Sequence, residues 1–238
     1  MKNKYNSLRK RNKKVAESRW KKEEEKHLSH INKISKKIKY KIFKSRLLGF
    51  LAGDGSISIT KEKNKKSIHH NISFYPDNKS MINQFIEAFN YLYRKQPTIK
   101  QYKNYYSVRI SSKFACLDLL KTSKVGTYDW EVPFTFLESE KTKIEWLRAF
   151  FDCEASILKR QIQLQSVNMK GLFQVKRLLE SFKIESKIYK YERKNNKWNT
   201  NYILCIMRKE SRRNFLDKIG FNHTLKLEKL KKHFASVP

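Results

Sequence analysis

Two acidic residues stand out for the company they keep. Asp54 follows Leu47-Leu48-Gly49-Phe50-Leu51-Ala52-Gly53, an apolar run rich in small residues, and is itself followed by Gly55-Ser56. Later in the chain Glu154 follows Leu147-Arg148-Ala149-Phe150-Phe151-Asp152-Cys153 and precedes Ala155-Ser156. Gly49 matches Ala149, Gly53 matches Cys153, and Asp54 matches Glu154. Both runs read as helices, on which positions four apart share one stripe. Glycine inside a helix costs about 1 kcal/mol against alanine, and close approach of a second backbone offsets that cost, as in small-xxx-small packing. If the two stripes meet, the helices lie side by side and Asp54 and Glu154 come together at their C-termini.

That juxtaposition defines the chemistry. A carboxylate at a helix C-terminus opposes the negative end of the dipole by ~0.3–1 kcal/mol, and two adjacent carboxylates also repel. A divalent cation neutralises both, and Mg²⁺ suits a site with few carboxylates completed by waters and phosphate oxygens. Either helix alone reads equally well as a core helix followed by a surface acid. The matched pair points to a metal site.

The net charge indicates the partner. The 238 residues carry 54 Lys and Arg against 22 Asp and Glu, for +32. Residues 1–46 hold 18 of the basic and 4 of the acidic residues, so most of the excess lies on the remaining body. A polyanion is the expected partner, because Lys and Arg contacts to phosphates release counterions. No run approaches the roughly 18–20 apolar residues of a membrane span, and the N-terminal residues lack the apolar segment of a secretory signal. The expectation is a soluble protein that is not secreted and has no membrane partner, cytoplasmic in a prokaryote or else organellar. Cys116, Cys153 and Cys205 lie far apart without a CxxC and read as buried free thiols.

Residues 1–28 read as a fraying helix or disordered basic arm. Ile31 to Phe43 reads as a helix, and the motif helix opens with Ser45 as N-cap and closes on Gly55 at C′. Ser56 to Thr60 alternates with period two, placing Ile57 and Ile59 on one face. Ile72 and Phe74 do the same in the next strand, and Pro76-Asp77-Asn78 is a turn. Met81, Ile82, Phe85, Ile86, Phe89 and Leu92 trace an amphipathic helix. A hairpin (98–103 and 105–111) and a short helix around Phe114 to Leu120 complete the unit. The second half repeats this order, opening on Thr142-Lys143-Ile144-Glu145 as a capping box and ending in a basic helix around Leu225 to Leu230. The organisation is a duplicated αββαββα unit: a basic arm or helix over 1–44, a first repeat over 45–138 and a second over 139–238.

Leu47 to Gly55 and Leu147 to Ala155 resemble the two motifs of a LAGLIDADG homing endonuclease in its single-chain form. The resemblance covers roughly 45–235, with Trp130-Glu131-Val132-Pro133 before the second motif and Ile219-Gly220-Phe221 followed by Lys226 near the end. It implies an α+β fold of two pseudo-symmetric repeats packed through the motif helices at Gly49, Gly53, Ala149 and Cys153. Each repeat supplies a four-stranded antiparallel sheet over the DNA major groove. The implied function is site-specific cutting of both strands of a long asymmetric duplex by a monomer, through metal-assisted phosphodiester hydrolysis. Asp54 and Glu154 would bind two or three Mg²⁺ (or Mn²⁺) ions, with Gly53 and Cys153 beside them at the metal site. Lys226 matches the basic residue that orders the water network. The equivalent place in the first repeat, near Thr127, has no lysine, and Lys124 is the nearby candidate.

Strand alternation gives the DNA-facing positions expected under this resemblance: Ser58, Thr60, Asn71, Ser73, Tyr75, Gln101, Lys103, Tyr105 and Arg109 for one half-site. Gln163, Gln165, Lys187, Tyr189, Tyr191 and Arg193 serve the other. Gln, Asn and Arg can read base edges bidentately, and Lys61 to Lys66 with Lys194 to Lys197 would clamp phosphates. The alternatives share the fold: an RNA maturase that binds its host intron RNA, or a DNA-binding relative that has lost cleavage. His69-His70-Asn71 lacks the downstream histidine that an HNH nuclease requires.

Overall fold

The computed structural model describes residues 2–61, 68–192 and 199–235. The first half runs α1 (Lys2–Ile34), α2 (Ile38–Ala52), β1 (Gly55–Lys61), β2 (Ile68–Phe74), α3 (Lys79–Tyr93), β3 (Thr98–Gln101), β4 (Tyr106–Ser111) and α4 (Lys113–Thr122). The second runs α5 (Glu140–Glu154), β5 (Ser156–Leu158), β6 (Gln161–Ser166), α6 (Met169–Glu180), β7 (Lys187–Tyr191), β8 (Asn201–Ile206), α7 (Lys209–Lys218) and α8 (Thr224–Ala235). The architecture is α+β, with two antiparallel four-stranded sheets of matching order, β1-β2-β4-β3 and β5-β6-β8-β7.

Alternation builds each sheet. Ile72, Phe74, Val108 and Ile110 are buried on one face of the first, and Ile162, Leu164, Leu204 and Ile206 on one face of the second. Helices cover those faces, as antiparallel sheets with one solvated side require. The aromatic chain Phe50–Phe74–Phe85–Phe89–Tyr93 threads the first core. In the second, Trp146 stacks on Phe150 and Phe151 packs on Phe215. Ile57 is half-buried as expected, but Ile59 is exposed near the outer end of β1.

The helix starts differ from the sequence reading. Ile31 to Phe43 is two helices, because the chain turns at 35–37, where Ser35 N–H bonds Ile31 O and Lys37 N–H bonds Ile34 O. The turn lets Ile34 and then Tyr40 and Phe43 enter the same core. Ser45 is therefore no N-cap; it is fully buried in mid-helix and donates to Lys41 O at 2.8 Å. Lys44 beside it is buried by ion pairing with Asp118 at 2.9 Å, which also accepts from Tyr93 Oη at 2.6 Å. Gly55 begins β1 instead of closing the helix, whose C-cap is Gly53. In α5 the capping box is formed by Ser139 and Thr142, three residues earlier than expected. Glu145 is thereby free to accept from Arg46 of α2 at 2.8 Å and from Arg148 at 2.7 Å.

Residues 2–34 form one continuous helix, the first of the two alternatives, helix or arm, that the basic N-terminal segment offered. It is anchored at its C-terminal end, where His30 Nε2 meets Tyr91 O at 2.9 Å and His27 stacks on Phe114. Among the described residues no helix is long and apolar enough to cross a membrane.

Candidate active site

The site is built on the α2–α5 contact. A Cβ at Gly49 would lie 2.4 Å from Trp146 O and 2.9 Å from Ala149 Cβ. One at Gly53 would lie 2.5 Å from Cys153 Cβ. The stripe residues Gly49, Gly53, Ala149 and Cys153 thus face one another, and only the missing side chains allow the backbones this close. Both helices end at the same place, and the strands β1 and β5 leave from there.

Asp54 and Glu154 sit at those ends, half-buried. Burial raises the Asp54 carboxyl above its usual range, against a hydrogen bond from the Cys153 thiol and the charge of Lys226; Asp77 adds to the rise. Glu154 is raised to about 7, by burial first and by the Asp54 charge second, with Lys226 opposing both. Glu154 therefore senses the Asp54 charge in a partly dehydrated setting.

Lys226, on the first turn of α8, reaches the end of α5. Its Nζ donates to Asp152 O at 2.5 Å and Cys153 O at 3.0 Å, two carbonyls of the last helical turn. The Cys153 carbonyl is consequently engaged by an ammonium as well as lying beside the carboxylates. The first repeat furnishes its side differently. A cavity of about 330 Å³ lined by Gly53, Gly126, Thr127, Trp130, Glu154 and Gln165 occupies the corresponding place. Lys124 is exposed in the loop after α4 and does not line that cavity.

Three further residues support the site: Asp152, the second acid of the motif, and His223 and Asp77, which escaped the sequence reading. Asp152, fully buried, accepts the backbone N–H groups of Asn222 at 3.0 Å and His223 at 2.9 Å through one oxygen. Burial raises its carboxyl to about 6 despite these bonds and the nearby Lys226. His223, also buried, bonds Asp77 through Nε2 at 3.2 Å, which holds the Asp77 carboxyl below its usual range. The only sequence signal was Asp152 itself, an acid inside an otherwise apolar helix face.

Register assigns the sheet faces. In the first sheet Ser58 pairs Asn71, Ser73 pairs Arg109 and Thr60 pairs His69, so Ser58, Thr60, Asn71, Ser73 and Arg109 share the polar face. Gln101 pairs Tyr106 and lies on the opposite face, with Ile99 and Val108; Thr98 and Lys100 take its expected place. The physical reason is that β3 aligns on β4, and a one-residue shift flips a side chain to the other face. Lys103 and Tyr105 lie in the β3–β4 turn, where Tyr105 stacks on Tyr102 at 4.8 Å and meets Tyr75 edge-on at 6.3 Å. In the second sheet Gln163, Gln165, Lys187, Tyr189 and Tyr191 share one face, joined by Gln161 and Asn201. Asn201 Nδ2 donates to Gln165 Oε1 at 3.2 Å. Lys61 is exposed at the end of β1. Arg193, Lys63, Lys65, Lys66, Lys194 and Lys197 lie outside the described residues.

Residues 141–220 match the family model for a LAGLIDADG-like domain. A structure of the homing endonuclease I-DmoI in complex with DNA and Mn superposes with a TM-score of 0.62 at 16% identity, covering 76% of this chain and 97% of that one. Full-length WhiA from Thermatoga maritima gives 0.53 at 16% identity over 82% of this chain and 60% of that one. An uncharacterised protein of Methanocaldococcus jannaschii is 32% identical over 112 residues, 43% of this chain and 41% of the relative. The chain spans less than half the length of the curated relatives it matches.

Proposed function

We propose that this chain, with a LAGLIDADG-like domain over 141–220 and the two-repeat fold seen in I-DmoI, is a metal-dependent DNA endonuclease. It would act as a monomer, with repeats over 45–138 and 139–238, on both strands of a long asymmetric duplex. The observation that carries this reading is the convergence of Asp54 and Glu154 at the paired ends of α2 and α5. These are the ends from which both sheets depart with a polar face.

The donor set fits a divalent cation such as Mg²⁺ or Mn²⁺. Two half-buried carboxylates, both driven upward in pKa by burial and Glu154 also by the Asp54 charge, are what a hard cation with oxygen ligands would relieve. Asp54 and Glu154 would hold it, with the main chain of Gly53 and Cys153 alongside. When bound, it would supply Lewis-acid activation of water and stabilisation of the leaving oxygen. Lys226 holds its ammonium over the end of α5, where it offsets the local negative charge and can order water at the scissile phosphate. The polar faces carry Asn71, Arg109, Gln163 and Gln165, whose side chains can pair with base edges. Lys100, Lys187 and the exposed tyrosines would meet the backbone and sugars.

A second reading, a nucleic-acid-binding protein of the same fold without cleavage, is favoured by one observation. The first repeat places Gly126 and Thr127, with no lysine among the residues lining the cavity, where the second repeat places Lys226. Within that reading, the basic residues of α1 suit a host intron RNA. A supercoiled plasmid carrying the joined genomic flanks of the reading frame, incubated with protein and Mg²⁺, separates the two. Linearisation by the native protein is expected, with Asp54→Asn binding the same duplex within a few-fold while failing to linearise it. Binding without any cutting, with tighter binding to the transcribed RNA, would establish the second reading instead.

A further inference from the structure

His223 stands at the entrance to α8 and does an unusual job there. Its carbonyl accepts Leu227 N–H at 3.0 Å, which makes it the residue preceding the first helical turn. Its ring Nδ1 accepts Lys226 N–H, in a long bond of 3.4 Å. That is the side-chain capping bond ordinarily made by Asn, Asp, Ser or Thr. An imidazole can do this only if the proton is on the other nitrogen, and there Nε2 meets Asp77 Oδ1 at 3.2 Å. The tautomer of a histidine is set by the partner of its second nitrogen.

We propose that Asp77 and His223 form a positioning pair, reaching from one repeat to the other, that fixes the first turn of α8 and thereby places Lys226 against the carboxylates. The inference rests on the nuclease reading of that site. Asp77 belongs to the first repeat, in the turn after β2. Its neighbour Pro76 accepts Tyr106 N–H of β4 at 2.8 Å, and Tyr75 N–H bonds Asp54 O at 3.0 Å. The turn is thus continuous with the polar sheet on one side and with the acidic site on the other. The same segment grips the loop of the second repeat twice more, through Ser80 Oγ to Asn222 O at 3.0 Å and Asn222 Nδ2 to Gln84 Oε1 at 2.6 Å. In the reciprocal contact the loop after α4 is held by Asn168 Nδ2 to Trp130 O and Val132 N–H to Gln174 Oε1. Val167 stands there in the place of Asp77. The pair therefore serves one of the two cleavage sites.

Without Asp77 the buried Nε2–H loses its acceptor, and the tautomer that caps Lys226 loses its advantage. An asparagine at 223 would present an acceptor oxygen whatever stands at 77. The test is strand-resolved, single-turnover cleavage of an end-labelled duplex by the full chain, alongside hydrogen exchange of the metal-free protein. Lys226→Met identifies the strand that Lys226 serves. Asp77→Ala and His223→Ala should slow that strand about tenfold, leaving the other strand and duplex affinity within about twofold. Asp77→Ala should add nothing to Lys226→Met, and nothing in a His223→Asn background. Exchange at the amides of Lys226 and Leu227 should rise in Asp77→Ala and return in the double variant with His223→Asn. Equal slowing of both strands, a defect that persists with His223→Asn, or unchanged amide exchange in Asp77→Ala would overturn the proposal. If the native protein cuts no strand, the nuclease reading fails, while the exchange measurement still decides whether the pair holds the loop.

Discussion

Replacing Gly49 by alanine tests the helix contact on which the site depends. The new methyl would lie 2.4 Å from the Trp146 carbonyl oxygen, 2.9 Å from Ala149 Cβ and 3.2 Å from Phe150 N. Two of these three atoms are main chain, so no rotamer change relieves the clash, and α2 and α5 must part by roughly half an ångström or more in a close-packed interior. Overpacking of this kind costs about 1–3 kcal/mol, and alanine's helix propensity returns about 1 kcal/mol. With a main-chain obstacle placing the cost at the upper end, the net loss is about 2 kcal/mol, or a fall of about 4–8 °C in Tm for a chain of this size. Because Asp54 and Glu154 ride on the two helix ends, cleavage should fall by about 100-fold, the usual penalty for a displacement near 1 Å, with duplex affinity retained. Urea and thermal melts of the metal-free protein, with single-turnover cleavage, read both effects. Adding Ala149→Gly should recover only part of the loss, since it removes the Cβ contact and leaves the carbonyl. A Gly49→Ala midpoint equal to or above that of the native protein would refute the reasoning, because helix propensity would then be the only term acting.

The carboxylate pair and its support give two further tests. Glu154 is raised from 4.5 to about 7 on folding, so between these values the folded state holds a proton that the unfolded state has released. Metal-free stability should accordingly fall as pH rises through that window, and Glu154→Gln should match the native protein near pH 4.5 but exceed it near pH 8 by on the order of 1–3 kcal/mol. A difference independent of pH would contradict the assignment, and added Mg²⁺ should shrink it. Asp152→Ala leaves two buried N–H groups unpaired and should cost about 2–4 kcal/mol. Asp152→Asn, whose amide oxygen can replace the one that accepts both, should stay within about 1 kcal/mol of the native protein in denaturant titrations.

Much of the fold was legible because it rests on local periodicities. Period-two alternation around Ile72, Val108, Ile162 and Leu204 placed the strands, and the apolar stripe from Met81 to Leu92 placed α3. Helix starts were less legible. Ser45 has the chemistry of an N-cap, yet its hydroxyl is satisfied by Lys41 O within a helix that begins at Ile38. Lys44 looks like a surface residue until Asp118, far away in sequence, is brought to it. Thr142 does belong to a capping box, but as the third helical residue, with Ser139 and not Thr142 as the opening one.

Asp54 and Glu154, the small-residue stripes and the expectation that they meet all follow from the sequence alone. Glycine spaced four apart in an apolar helix makes physical sense chiefly where another backbone comes close, and the doubling of the pattern names the partner. The cradle around the acids was decided only by tertiary structure. Gln101 left the polar face because register is a property of two strands, and Lys124 faces solvent while Lys226 reaches the helix end. Asp77, Asp152 and His223 meet only because a turn of one repeat is pressed against a loop of the other. Their hydrogen bonds span 71 residues between Asp152 and His223, and more than that between Asp77 and His223. Local periodicity carries no information over such separations; packing of the two repeats supplies it.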